Sequence, residues 1–156
     1  MTDFYSLGEA DIVIKDLYGL RTFKAVDGKL SSVVVGTGYW EDGMCDAICV
    51  SHKDDLDHVA PAEGCHCGIY AAYTLRLLVT QYKEEAEKII AVVKATGTTI
   101  TGDDGFKTRQ AEVVAYWAAD NTAEEKACDA HCPDARRWFD RDLMIEIFEL
   151  DERSTK

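Results

Sequence analysis

The stretch LRTFKAVDGKLSSVVVGTGYW, residues 20–40, carries the clearest secondary-structure signal in the chain. Its first seven residues alternate partly between apolar and polar side chains and are rich in strand formers. Asp27-Gly28-Lys29 follows, a combination typical of a tight turn, and a second strand-like run begins at Leu30. The pattern predicts a β-hairpin and, with it, β-structure through the first third of the chain.

Two segments in the middle of the chain also have recognisable secondary-structure patterns. Apolar residues recur at spacings of three and four from Leu75 through Leu78 and Tyr82, which predicts a helix over residues 73–88. Residues 89–109 have the pattern of a strand, a turn and a second strand, with the turn at GDDG, residues 102–105. We therefore expect a helix followed by a second hairpin.

The last third predicts a helix, a short capped helix and a strand. Residues 110–120 carry apolar side chains that suit one helical face, and Thr122 with Glu125 forms a capping box for a helix that ends before Pro133. Apolar and polar residues alternate over 144–150, which predicts a final strand. The expected fold class is α+β, an antiparallel β-sheet with two to four helices and a loop rich in cysteine and histidine.

Composition limits the broad class of the protein. The chain has 156 residues, of which 47% are hydrophobic and 29% charged, values typical of one globular domain covering residues 1–156. No apolar run approaches the roughly 18 residues of a membrane span, and the N-terminus lacks the pattern of a secretory signal. We therefore expect a cytoplasmic protein that binds no membrane.

The charge balance bears on the kind of partner. There are 29 acidic and 17 basic residues, a net charge of −12. Such a surface repels nucleic-acid phosphates, so direct nucleic-acid binding is not expected. A protein partner with a basic face remains possible, as does imitation of DNA by arrayed carboxylates. Solubility alone also explains the charge, and we favour this explanation over mimicry.

The segment 41–67 concentrates ligand chemistry. It contains four cysteines, three histidines and a proline, with little periodicity. A loop of this length inside a compact domain needs something to hold it. Since a reducing cytoplasm disfavours disulfides, its cysteines point to metal binding, to reactivity or to simple burial.

A tetrahedral zinc site is one interpretation of this loop. Cys65 and Cys67 are alternate residues, so in an extended segment both side chains point the same way. A closed structural site needs four sulfur or nitrogen ligands, and Cys49 and His58 are the best candidates for the other two. The spacing differs from the common zinc-finger signatures. A polar turn with two buried cysteines is the competing interpretation, and both stay open.

Other residues of the loop offer alternative roles as metal ligands, as parts of a thiol enzyme or as a solvated turn. Cys45 and His52 are substitute ligands that the pattern does not exclude. Cys65 or Cys67 with His58 and Asp57 has the parts of a thiol enzyme, although no local feature marks a nucleophile. Asp54, Asp55 and Asp57 have the pattern of a solvated acidic turn.

Two features outside the loop also carry candidate roles. Cys128 and Cys132 lie four residues apart beside His131, a spacing that favours buried cysteines on one helix face, although the fold could also bring them to the first cluster. Trp40 precedes the cysteine-rich loop. Core packing is the default role of a tryptophan, but an exposed Trp40 would anchor a partner, and it is our candidate partner-binding residue.

A series of residues from the hairpin to the middle of the chain forms a recognisable pattern. In chain order it comprises Arg21, Trp40-x-x-Gly43, Ala47-x-Cys49, His58-x-x-Pro61, Cys65-x-Cys67-Gly68-Ile69-Tyr70-Ala71, Gly105-Phe106-Lys107, Arg109 and Ala111. This pattern resembles that of an uncharacterised protein family that is widespread in actinobacteria and their bacteriophages. The resemblance covers about residues 20–118 and is tightest over 40–71. The resemblance singles out the four candidate ligands and leaves Cys45, Cys128 and Cys132 as additions of this chain.

The resemblance implies a small accessory protein, encoded by a phage and made in the cytoplasm of an actinobacterial host. We expect an interaction module that binds a host or cognate protein, with a structural zinc inferred from the ligand types. Two other classes remain. One is a metal-dependent hydrolase with Asp57 or Glu63 as base, and the other is an acidic DNA mimic. An enzyme is the less favoured class.

Overall fold

The structure, a computed structural model, describes residues 16–33, 40–47, 58–62, 65 and 67–151. Its first strands are β1 (Tyr18–Arg21), β2 (Phe23–Val26) and β3 (Lys29–Ser32). β2 and β3 pair antiparallel around Asp27 and Gly28, whose φ angles are 52° and 78°. Positive φ at both central residues is the geometry of the two-residue turns that match the twist of hairpin strands. The predicted hairpin is confirmed.

A larger sheet of eight strands organises the rest of the described chain. Its other members are β4 (Met44–Asp46), β5 (Ile69–Ala72), β6 (Ile89–Ala95), β7 (Thr99–Thr101), β8 (Gly105–Thr108), β9 (Gln110–Ala118) and β10 (Arg136–Trp138). The strand order is β10-β9-β6-β1-β5-β8-β7, and β4 pairs with β9 on the same edge as β10. Among the strand pairs of the described residues, only that of β10 with β9 is parallel.

Four helices in the described residues cover the sheet and the hairpin. They are α1 (Leu75–Gln81), α2 (Lys83–Ala86), α3 (Ala123–His131) and α4 (Arg141–Ile147). α1 packs against β1 and β5, α2 against β2 and β6, α3 against the β2–β3 hairpin and β9, and α4 against β9. The first five residues of β6 are completely buried, so both faces of the sheet are covered at its centre. The α+β prediction is confirmed.

Among the described residues no helix is both long enough and apolar enough to cross a bilayer.

The middle of the chain matches the predictions closely. The helix expected over 73–88 is present as α1 and α2, which meet at Tyr82. β7 and β8 form the hairpin predicted around residues 102–105. β6, however, pairs with β1 and β9 rather than with β7. The second hairpin is therefore shorter than predicted, and β6 instead forms the centre of the sheet.

The capped helix is also confirmed, with one difference at its N-terminus. Thr122 Oγ1 accepts a hydrogen bond from Glu125 N at 3.1 Å, as the capping box requires. The Glu125 carboxylate reaches one residue further back and accepts from Asn121 N at 2.7 Å. It also pairs with Arg137 at 2.7 Å, which ties the start of α3 to β10.

Two secondary-structure predictions are wrong, each for an identifiable reason. Residues 110–118 form strand β9, because Ala111, Val113 and Ala115 alternate into the core and both edges of the strand are paired. The tail forms helix α4, because Asp140 caps it by accepting from Leu143 N at 3.0 Å. A short apolar run in the sequence fits either the helical or the strand period, and strand pairing decides the first case whereas the Asp140 cap decides the second.

Candidate metal centre

His58, Cys65 and Cys67 come together in the structure. Their ligand atoms all lie within 4.8 Å of one another, and Cys67 Sγ is 3.4 Å from His58 Nε2. Cys65 and Cys67 are partly buried. Two thiols and an imidazole at this separation can hold a metal ion. Cys49, the fourth predicted ligand, lies outside the described residues, as do the substitute ligand His52 and the candidate bases Asp57 and Glu63.

Gly68 brings the two halves of the cluster together. It follows Cys67 directly, leads into β5 and has a φ of +121°. A Cβ at this position would lie 3.1 Å from Pro61 Cβ and 3.2 Å from Lys107 Cβ. Glycine therefore permits both the backbone conformation and the close approach to Pro61, three residues after His58.

Lys107 fixes the cysteine side of the cluster to the sheet. It lies on β8 opposite Tyr70, and its Nζ donates to the carbonyl of Cys65 at 2.7 Å and that of Ala62 at 3.2 Å. Cys65 N also donates to Ala62 O at 3.1 Å. The backbone that presents Cys65 is thus held by three hydrogen bonds, independently of any ion.

Tyr70 lies beside the thiols at the surface. Its side chain is 46% exposed. Partial burial, followed by the neighbouring Cys67 and Cys65, raises the pKa of Tyr70. Val59, adjacent to His58, is 49% exposed. The cluster is therefore bordered by an aromatic and an aliphatic side chain that face solvent.

The remaining cysteines of the described residues lie away from this group. Cys45 is buried on β4 opposite Ala111. Cys128 and Cys132 are buried on and just after α3, at 0% and 4% exposure, which confirms the interpretation of this pair as buried cysteines. Their mutual hydrogen bond, followed by burial, raises the pKa of Cys128. A thiol in such surroundings is a poor ligand and a poor nucleophile.

The prediction of Trp40 as a partner-binding residue is wrong. Its side chain is 1% exposed and stacks edge-to-face on Phe23, with ring centroids 4.9 Å apart. The indole Nε1 donates to Ser32 Oγ at 3.1 Å. A tryptophan next to a polar loop was a plausible surface anchor, but the space beneath the β2–β3 hairpin requires a large apolar side chain, and Trp40 fills it.

Comparison of the chain with protein-family models, with curated proteins and with solved structures finds no match. Sequence reasoning missed the role of Lys107, which is 42 residues from Cys65 and becomes its neighbour only through the pairing of β5 with β8. The local sequence contains no signal for this contact, since it depends on strand order.

Replacing Lys107 with methionine tests the support of the cluster. We expect metal affinity to fall by about 10- to 100-fold, as for other outer-shell contacts, because the carbonyls of Cys65 and Ala62 lose their donor. Chelator competition measures the affinity. Lys126→Met, an exposed position on α3, is the matched control and should leave affinity unchanged. Equal affinity in the two variants would show that Lys107 does not organise the site.

Proposed function

We propose that the protein is a zinc-stapled interaction module, in which the metal fixes a loop that binds another protein. The observation that carries the proposal is the convergence of His58, Cys65 and Cys67, with ligand atoms within 4.8 Å of one another. These residues come from two sides of the segment 58–67. An ion bound to all three holds that segment closed.

Zinc is the metal that this ligand set favours. Thiolate and imidazole ligands are typical of tetrahedral zinc, and carboxylate-preferring ions such as Mg²⁺ and Ca²⁺ are poorly matched. Cys49 is the proposed fourth ligand, by the residue pattern of the loop. A site with four protein ligands is closed and structural. Bound zinc would then stabilise the loop rather than carry out a reaction.

The surface beside the cluster supports an interaction role. Val59 and Tyr70, 49% and 46% exposed, flank the ligands and present apolar area at a position that the metal would fix. The net charge of −12 favours a partner with basic residues around its contact surface. The family resemblance supports a phage accessory protein that acts on a host or cognate protein in the bacterial cytoplasm.

The interaction role is tested with a surface variant, Val59→Asp. We expect affinity capture from actinobacterial extract to yield a partner with the zinc-loaded protein, and this partner to be lost with Val59→Asp and after zinc removal. Ile147→Asp is the matched control, because Ile147 is 57% exposed on α4. Capture should survive in it. A capture profile that is identical in all four samples would contradict the proposal.

A metal-dependent hydrolase is the second candidate, supported by one observation. A cleft shares Gly68, Tyr70 and Lys107 with the surroundings of the cluster, and a catalytic zinc needs such an open side, where water completes three protein ligands. X-ray absorption at the zinc edge distinguishes the closed structural site of an interaction module from the open catalytic site of a hydrolase. Three sulfur ligands at about 2.3 Å and one nitrogen at about 2.0 Å indicate the closed site, whereas two sulfurs with added oxygen indicate an open one.

A further inference from the structure

A cleft of about 860 Å³ lies between α1 and the strands β1, β5 and β8. Its walls include the apolar side chains of Leu77, Leu78, Ile100 and Phe106. Its size is within the range of small-molecule sites, which are mainly apolar and carry a few polar groups that orient the ligand. The polar group that distinguishes this cleft is the guanidinium of Arg21.

Arg21 is held in place by neutral groups. Its Nη1 donates to Tyr70 O at 2.6 Å and its Nη2 donates to Ser32 Oγ at 2.9 Å. The rings of Phe23 and Trp40 lie against it, with centroids 5.4 and 5.3 Å from Cζ. These contacts join β1 to β5 and to the hairpin, so the position of the guanidinium is set before any ligand arrives.

The charge of Arg21 has no anionic partner among the described residues. No described carboxylate lies within 4.0 Å of it, and its buried Nε has no hydrogen-bond acceptor there. A guanidinium has five N–H donors, and the bonds described above use one on each Nη. Because Nε is buried, the donors left for a ligand in the cleft are the second N–H of each Nη. Burial lowers the pKa of Arg21 to about 10, because the charged guanidinium is less well solvated there than in water. An anion close to it would offset that cost.

We propose that the cleft binds a small carboxylic acid, with the carboxylate beside Arg21 and an apolar body against Leu78 and Phe106. A single negative charge fits better than several, because Asp103 and Asp104 also line the cleft. The other cation, Lys107, already donates to two backbone carbonyls. The proposed contacts include none of His58, Cys65 and Cys67, although the cleft shares Gly68, Tyr70 and Lys107 with the surroundings of the cluster.

Benzoate, benzamide and inorganic phosphate are the probes for a test by calorimetry and amide chemical-shift mapping. We expect benzoate to bind and to shift the amides of Ala71, Ala72 and Phe106. Benzamide, equal in shape but neutral, should bind at least about 10-fold more weakly, since it lacks the charge-assisted hydrogen bond. Phosphate should bind more weakly than benzoate. Equal binding of benzoate and benzamide, tighter binding of phosphate, or no binding of benzoate would overturn the proposal.

Two variants separate the role of Arg21 in binding from its role in packing. Arg21→Met should reduce benzoate affinity by about 10- to 100-fold while benzamide affinity stays the same. Thr101 lines the cleft at the exposed end of β7 and is not among the contacts of Arg21, so Thr101→Trp should fill part of the cleft without touching the guanidinium. It should abolish benzoate binding in a protein that still unfolds at the wild-type denaturant midpoint. Benzoate binding that survives Thr101→Trp would place the site elsewhere and refute the assignment.

Discussion

Replacing Cys67 with serine should abolish stoichiometric zinc binding. Serine keeps roughly the size of the side chain but removes the sulfur that lies 3.4 Å from His58 Nε2 within the three-residue cluster. We expect zinc affinity to fall by more than about 100-fold, beyond the range for outer-shell contacts. Zinc at 1,000 times its dissociation constant raises the free energy of unfolding by about 4 kcal/mol, and the variant should lose nearly all of that gain.

The controls for this prediction come from the same chain. Cys132→Ala removes a buried thiol outside the cluster, and His131→Ala removes an imidazole at the end of α3. Both should keep one zinc per chain, even where Cys132→Ala is less stable. Chelator competition gives the affinities, and urea unfolding with and without zinc gives the stabilities. A Cys67→Ser protein that binds zinc like the wild type would refute the site.

Replacing Gly105 with alanine should be the most damaging conservative change in the β7–β8 hairpin. A Cβ at Gly105 would lie 2.0 Å from Ala71 O, a backbone atom of the paired strand β5. Neither backbone can yield without breaking the ladder between β5 and β8. We expect a loss of about 3 kcal/mol or more in the free energy of unfolding, at the upper end for overpacking.

Gly102→Ala is the matched control for this prediction. It lies in the same hairpin, three residues earlier, and its added Cβ would meet only Gly105 O, at 3.8 Å, among neighbouring atoms within 4 Å. That is an ordinary contact, so stability should change by less than about 1 kcal/mol. Urea unfolding of both variants measures the difference. Equal stabilities for the two would show that β5 and β8 do not approach as closely as the structure has them.

The parts of the fold that sequence could predict are those with local chemical signals. Asp27-Gly28 specifies a two-residue turn, and Thr122 with Glu125 specifies the start of a helix, so both elements were predicted correctly. The sequences of β9 and α4 carry no comparable local signal that we recognised. Their apolar residues fit either period, and strand pairing or the Asp140 cap decides between them.

The candidate site divides in the same way. Cys65 and Cys67 are alternate residues, and their convergence with His58 follows from spacing and from the need to close a long loop. The contacts by which Lys107 supports Cys65, and those by which Arg21 reaches Tyr70, are long-range consequences of strand order, so no local sequence pattern predicts them. Trp40 shows the opposite error, because its position in sequence suggested a surface role and packing placed it in the core.

The most direct test of the zinc-stapled site is metal content, measured by elemental analysis on protein purified without chelator or an affinity metal. Urea unfolding before and after dialysis against a chelator accompanies it. We expect one zinc per chain, with a clear loss of stability when the metal is removed. Protein that contains no zinc, takes up none when it is added, and unfolds identically in both states would contradict the account. The cluster of His58, Cys65 and Cys67 would then be a packed polar turn.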